Sequence, residues 1–285
     1  MSTAVILAAR KEREADIPFP LMPFGEGITL IDRTVEILRE NYFTKIIIVA
    51  GYHAEMFRRF EADDVKIILN PDYEFMASLG SLMAAKDEIT EDFLLIDGDT
   101  FFEKELIRRI SSISSDNCLA ITEESGSGDE CFVETKHGFI TKISKDRHRV
   151  CNFEGELIGV NRISLETFER MKELWNRSTN PLLNYEYALM DVTTPLDRPY
   201  IRFKNLIWGD VDTIKDFLIL DNNLYRRLRR KENPFDEENL LKYVRNIFPN
   251  RNLSDCEITQ IGGMSNKNFL VTINNQRFVL RVPGY

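Results

Sequence analysis

The chain is 285 residues long, 43% apolar and 29% charged, with a net charge of −9. That length suits one large domain plus an appendage, and the balance is that of an ordinary globular protein. The acidic excess excludes broad nucleic-acid binding, which needs clustered positive charge, and no apolar run approaches the roughly 20 residues of a membrane span.

The apolar start Met1–Ala9 has no basic leader, so it reads as a strand (Ala4–Ala9) and not as a signal peptide. Leu30–Glu40 is a helix with Leu30, Val35, Ile37 and Leu38 as its apolar set. Lys45–Ala50 is a buried strand, Ala54–Phe60 a short helix, Val65–Leu69 a strand, Ser78–Ile89 a helix and Phe93–Ile96 a strand. Strands alternating with helices imply right-handed crossovers and a parallel sheet. From Cys118 the pattern becomes a meander: Leu119–Thr122, Cys131–Thr135, Phe139–Ser144, Arg149–Phe153 and Leu157–Val160, with Ser125–Asp129 as a Gly/Ser turn. Helices resume at Leu165–Trp175 and Tyr185–Asp191. A boundary falls near Arg226–Pro234, whose basic run reads as a solvated helix end and linker, a phosphate or partner contact being the alternative. Beyond it come a helix at Glu237–Ile247 and strands at Glu257–Ile261, Phe269–Ile273 and Phe278–Val282, with Asn274-Asn275 at a hairpin turn. Cys118, Cys131, Cys151 and Cys256 show no paired spacing and read as reduced, buried, small apolar residues of a cytoplasmic protein. His53, His137 and His148 are isolated and receive no catalytic role.

Chemistry concentrates at Phe93-Leu-Leu-Ile-Asp-Gly-Asp-Thr100, an apolar strand ending in two acids around a glycine. Open α/β sheets place ligands at the carboxyl ends of such strands. Asp97 and Asp99 point to opposite sides of an extended backbone, so one of them is expected to face the crevice. A second acidic pair, Asp210 and Asp212, follows the strand-like Tyr200–Leu206. Carboxylates from two distant strands meeting at a sheet edge form a hard-oxygen site suited to Mg²⁺ with substrate phosphates. The competing reading makes these acids helix caps before Phe102–Ile113 and Thr213–Leu224. In the loop after the first strand, Arg10, Lys11 and Arg13 match phosphate oxygens, or simply keep the loop solvated.

The succession of strand-Leu7-Ala-Ala9, a Pro-rich segment, a helix, Ile46-Ile-Ile-Val-Ala-Gly-Tyr52, Asn70-x-x-Tyr73, a helix and a strand ending Asp97-Gly-Asp99 resembles nucleotidyltransferases that join a nucleoside triphosphate to a phosphorylated small molecule. The likeness is to bacterial CTP:phosphocholine cytidylyltransferases and covers about residues 2–228. It implies a Rossmann-like α/β/α sandwich with a mixed, mainly parallel sheet, plus a small C-terminal α+β fragment. It implies that Asp99 and Asp212 hold Mg²⁺. Leu7, Ala8, Ala9, Arg10, Gly51, Asn70, Ser78, Ser81 and Asp97 would bind the nucleotide. Tyr73, Tyr185, Glu186 and Trp208 would face the acceptor, and Arg10, Lys11, Arg13 and Lys145 would supply catalytic positive charge. The implied partners are CTP and a small phosphorylated amino alcohol, phosphocholine first. 2-Aminoethylphosphonate, a sugar phosphate or a non-catalytic nucleotide-binding domain are the alternatives, and UTP in place of CTP and a homo-oligomer stay open. The chain departs from the pattern where Arg10 replaces the first loop glycine, with none before Gly25, and where Phe19 stands in place of a lysine.

Ile261-Gly-Gly-Met-Ser-Asn-Lys-Asn-Phe-Leu-Val271 followed by Arg277-Phe-Val-Leu-Arg-Val-Pro-Gly284 resembles the start of a choline kinase or aminoglycoside phosphotransferase, with Arg281 at the phosphate-reaching strand position. Domains are therefore expected at 1–230 (nucleotidyltransferase) and 231–285 (incomplete kinase N-lobe-like segment), the latter belonging with a kinase domain in a longer parent chain.

Overall fold

The computed structural model of the chain describes all residues except 129, 233, 234, 236, 263–265, 284 and 285. Asp129 of the Gly/Ser turn, Pro234 of the linker, and Gly263–Ser265 and Gly284 of the kinase-like stretch thus lie outside the described residues. Two compact units are present, Met1–Tyr225 and Arg226–Tyr285.

The first unit is built on β1 (Thr3–Ala8), α1 (Leu30–Glu40), β2 (Lys45–Ala50), β3 (Val65–Leu69), α2 (Ser78–Ala84), β4 (Phe93–Asp97), β5 (Thr100–Phe102), α3 (Lys104–Ser111), β6 (Cys118–Thr122), β7 (Phe132–Lys136), β8 (Phe139–Ser144), β9 (Phe153–Ile163), α4 (Leu165–Arg177), α5 (Tyr185–Val192), β10 (Tyr200–Arg202), β11 (Trp208–Asp210) and α6 (Ile214–Ile219). The main sheet runs β10-β6-β9-β4-β1-β2-β3, with β7 and β8 attached beside β9. β1 pairs in parallel with β2 and β4, and β2 with β3, while β9 runs antiparallel between β4 and β6. This is a Rossmann-like α/β sandwich with a mixed, mainly parallel sheet.

Strand periodicity assigns the two faces. Ala4, Ile6 and Ala8 of β1 and Leu94 and Ile96 of β4 join the core under α1 and α3, with Ile31, Val35, Leu106 and Ile110. Val5, Ala9, Phe93 and Leu95 join the opposite core with Leu79 and Leu82 of α2, Phe168 of α4 and Tyr185 and Leu189 of α5. Odd-numbered residues of β1 and β4 therefore face α2 and α5.

Helix α1 starts at a capping box: Asp32 N–H donates to Thr29 Oγ1 at 3.2 Å and Thr29 N–H donates to Asp32 Oδ2 at 3.0 Å. Thr29 is 3% exposed, so water cannot replace the lost acceptor. Thr29→Ala is expected to cost about 1–2 kcal/mol, read from urea unfolding, with no change in nucleotide affinity.

Three expectations need correction. The helix expected over Ser78–Ile89 ends at Ala84 and continues as turns. No strand forms over Arg149–Phe153; Arg147–Arg149 is a 3-10 turn capped by Asp146, whose Oδ1 accepts from His148 N–H. Strand β9 instead begins at Phe153 and absorbs Leu157–Val160 in eleven residues. Position 155 of this strand needs glycine, because a Cβ there would lie 2.1 Å from the Thr122 carbonyl oxygen. Of the cysteines, Cys118 is buried, but Cys131 and Cys256 are half-buried and Cys151 is exposed.

The second unit holds most of α7 (Tyr225–Glu232), then α8 (Glu237–Ile247) and an antiparallel sheet of β12 (Glu257–Gly262), β13 (Asn266–Ile273) and β14 (Gln276–Pro283). Asn274 and Asn275 turn the β13–β14 hairpin with φ of 49° and 62°, the left-handed conformation that two-residue hairpins need and asparagine tolerates. Val244, Val271 and Ile273 form its small core. Among the described residues no helix is long and apolar enough to cross a membrane.

Candidate active site

A cavity of about 370 Å³ opens at the carboxyl ends of β1 and β4 in the first unit. Its floor is Leu7, Ala9, Asp97 and Gly159, and its walls come from Tyr73 and Met76, from Ser78 and Ser81 of α2, from Asn184–Glu186 at the start of α5, from Lys145, and from Trp208, Asp210 and Asp212.

The convergence of Asp99 and Asp212 follows from strand register. β5 and β11 are antiparallel three-residue strands with Asp210 opposite Thr100. Asp99 precedes β5 and Asp212 follows β11, so pairing brings them to one end of the ribbon. Val211 N–H donates to the Asp99 carbonyl at 3.1 Å, extending the ladder. Arg10 joins the two acids: Nη1 lies 2.5 Å from Asp212 Oδ1 and Nη2 lies 3.2 Å from Asp99 Oδ2. Thr100 Oγ1 donates to Asp210 Oδ1 at 2.7 Å.

Asp97 and Asp99 both line the cavity, correcting the expectation that one alone would. The strand ends at Asp97, and Gly98 turns the chain with its N–H on the Leu7 carbonyl at 2.8 Å. Asp97 is odd-numbered and faces α5, where Tyr185 Oη donates to its Oδ2 at 2.9 Å and Asn161 Nδ2 donates to that hydroxyl at 3.2 Å. Burial, with the charges of Glu186 and Asp99 added, pushes the Asp97 carboxyl well above the usual range. Burial likewise raises Asp99, against the pull of Arg10. Glu186 is raised by burial and drawn back by its own backbone N–H, Lys145 and Ser78, and its Oε2 meets no hydrogen-bond donor among the described residues.

The other expected site residues separate into those in the wall and those behind it. Leu7, Ala9, Arg10, Lys145, Tyr73, Tyr185, Glu186 and Trp208 line the cavity with Ser78 and Ser81. Ala8 does not, because its even position turns its methyl into the α1 core. Asn70 is buried behind the wall; it donates to Ser81 Oγ at 3.2 Å and accepts from Asp72 N–H, shaping the turn that presents Tyr73. Gly51 also lies behind: a Cβ there would sit 2.5 Å from the Ala9 carbonyl and 2.6 Å from Tyr73 Cβ, so its role is to let that loop approach. Lys11 is turned away onto Glu74 at 2.6 Å, and Arg13 is exposed outside the lining. Phe19 is fully buried, a core wedge where the family resemblance places a lysine.

Two acids escaped the sequence reading. Glu12 sits in a charged run that reads as solvated loop, yet its side chain is 4% exposed, with its Oε2 3.7 Å from Arg10 Nη2. Burial pushes its carboxyl up to about 7, against the pull of Arg10 and of the Phe19 N–H. Glu156 lines the same cavity and is 1% exposed. Burial pushes it up to about 7 as well, although the Ser125 hydroxyl and amide favour its charged form. An acid set directly before the apolar run Leu157–Val160 was the available signal.

The sequence model of the MobA-like NTP transferase domain matches residues 4–174, more than half of the chain and the whole floor of this cavity. The chain belongs to that family. This NTP transferase domain is 24% identical over 221 residues to a bifunctional IPC transferase and DIPP synthase of Archaeoglobus fulgidus, a match covering 76% of the chain and 42% of the relative. The chain therefore spans less than half the length of that relative. In fold it is similar to the inositol-1-phosphate CTP transferase from T. maritima, with TM-score 0.65 at 19% identity, covering 80% of this chain and 96% of that one. It is similar to the CTP:phosphocholine cytidylyltransferase from Streptococcus pneumoniae, with TM-score 0.66 at 20% identity, covering 79% and 100%. At these identities the two structures establish the fold of the NTP transferase domain.

Proposed function

We propose that this NTP transferase domain is a Mg²⁺-dependent cytidylyltransferase that joins CMP from CTP to a small phosphorylated amino alcohol, phosphocholine first. One acceptor phosphate oxygen forms a bond to the α-phosphorus of CTP. The bond from that phosphorus to the bridging oxygen breaks, and pyrophosphate leaves with the electron pair. The observation that carries the reading is the meeting of Asp99 and Asp212 on one cation at the mouth of a cavity that holds basic and acidic groups together.

The donor set fits the metal. Two hard carboxylates already share a positive partner in Arg10, and Mg²⁺ is commonly held by one or two carboxylates with substrate phosphates completing its shell. Asp99 and Asp212 would hold it, and it would neutralise phosphate oxygens as charge moves to the leaving pyrophosphate. Arg10 and Lys145 carry the other positive charge of the cavity, suited to phosphate oxygens. Tyr185 and Asn161 fix Asp97 in place.

Glu186 supports this acceptor class. A half-buried carboxylate whose buried Oε2 meets no donor among the described residues, in a cavity also lined by Tyr73, Tyr185 and Trp208, suits an ammonium group. Glu186→Gln is expected to raise the KM for phosphocholine about tenfold or more and to change that for an uncharged acceptor little. The relatives support a second acceptor class, inositol-1-phosphate, which carries no cation. Pyrophosphate release from CTP with Mg²⁺ decides between them across phosphocholine, 2-aminoethylphosphonate, inositol-1-phosphate and a sugar phosphate. Turnover with phosphocholine above the rest supports the reading, and turnover with none of them refutes it. We further assign residues 231–285 to the start of a kinase small lobe, supported by their three antiparallel strands and by the Asn268–Arg281 register. ATP-dependent choline phosphorylation by a longer parent chain tests that assignment.

A further inference from the structure

Among the described residues, no group of three or more His, Cys, Asp or Glu side chains is arranged to hold a metal ion. The point where such an ion would meet Asp99 and Asp212 belongs to a side chain. Arg10 reaches both acids with separate nitrogens and stands 3.7 Å from a third carboxylate, Glu12. We propose that Arg10 is the resident counter-cation of the Asp99–Asp212 pair, and that a divalent ion gains these carboxylates only together with a nucleotide whose phosphates draw the guanidinium away. This rests on the metal reading above and adds an order of binding to it.

The surroundings support exchange of the side chain and not of the loop. The Arg10 side chain is 50% exposed, so it has an open path to an incoming ligand. The backbone carrying it is pinned on both flanks. Glu14 Oε2 accepts from Ile214 N–H at 3.1 Å, tying the loop to the start of α6, and Ala9 O accepts from Tyr52 N–H at 3.1 Å. Glu12 is buried beneath the loop. A guanidinium left among these acids repels a dication within a few ångströms, whereas a polyphosphate offers it forked oxygen partners of equal charge. The carboxylates and the guanidinium then trade partners in one step: acids to metal, arginine to phosphate. Linkage makes the coupling reciprocal, so nucleotide strengthens metal binding and metal strengthens nucleotide binding by the same factor.

Mn²⁺ titration of the whole chain, followed by electron paramagnetic resonance of the free ion, tests this with and without CTP. Without CTP, Arg10→Gln is expected to bind Mn²⁺ about tenfold or more tightly than the unaltered protein, and CTP to strengthen Mn²⁺ binding more in the unaltered protein than in the variant. Arg10→Met, which keeps the stem, is expected to behave as Arg10→Gln does and serves if the glutamine variant does not fold. Equal Mn²⁺ affinity of the unaltered protein and these variants without CTP overturns the inference, provided Asp99→Asn still weakens the metal in the presence of CTP. If Asp99→Asn changes nothing even with CTP, the metal reading itself has failed, and the inference with it.

Discussion

Asp99→Asn is expected to lower kcat by about 10³-fold or more, roughly 4 kcal/mol of transition-state stabilisation, in the proposed transfer from CTP. The substitution keeps the shape of the side chain and removes one of two charges facing the shared cation. It leaves the β5–β11 ribbon alone, because that ribbon is joined through main-chain atoms, including the Asp99 carbonyl. A loss in kcat with an unchanged unfolding curve is therefore the signature, and Asp212→Asn should match it. Survival of activity within a few-fold in either variant would place the chemistry elsewhere.

Glu156→Gln is expected to stabilise the first unit at alkaline pH and to do little in acid. The carboxyl, 1% exposed, titrates near 7 in the fold against an ordinary 4.5. Below 4.5 both states hold the proton and nothing is lost. Between 4.5 and 7 the folded chain keeps a proton that the unfolded chain has released, so stability falls as pH rises through this window, and above 7 the full cost of burying the charge is present. A displacement of that size corresponds to about 3 kcal/mol. Both tryptophans, Trp175 and Trp208, lie in the first unit, so their fluorescence in urea reports on it. Glu156→Gln should match the unaltered protein at pH 4.5 and exceed it at pH 8. An equal difference at both values would show that the gain comes from packing and not from the charge.

The parts of the fold that the sequence displays are those with strong local periodicity. Lys45–Ala50 and Leu30–Glu40 form where their apolar patterns place them, since a parallel strand buried on both faces and an amphipathic helix leave unmistakable runs, and Val65–Leu69 forms as the edge strand beside the first of them. Asp97-Gly-Asp99 is likewise visible, as an apolar strand that stops at charge. The β5–β11 ribbon was not legible: each strand is three residues long, and the pairing that joins Asp99 to Asp212 spans more than a hundred positions. Arg10 and Glu12 show the limit more sharply. Local composition makes Arg10–Glu14 a solvated charge run, and only the tertiary position of Asp99, Asp212 and Phe19 turns two of its members inward. Gly155 falls in the gap between the strands expected at Arg149–Phe153 and Leu157–Val160 for a related reason: it serves close approach to Thr122, a contact that no local pattern announces.

The most direct test of the account is a crystal structure with CTP and Mn²⁺, read by anomalous scattering. The account predicts one manganese peak coordinated by both Asp99 and Asp212 and by phosphate oxygens, with Arg10 moved from the carboxylates to the triphosphate. A nucleotide bound with its metal away from these two acids, Arg10 still bridging them, would contradict it.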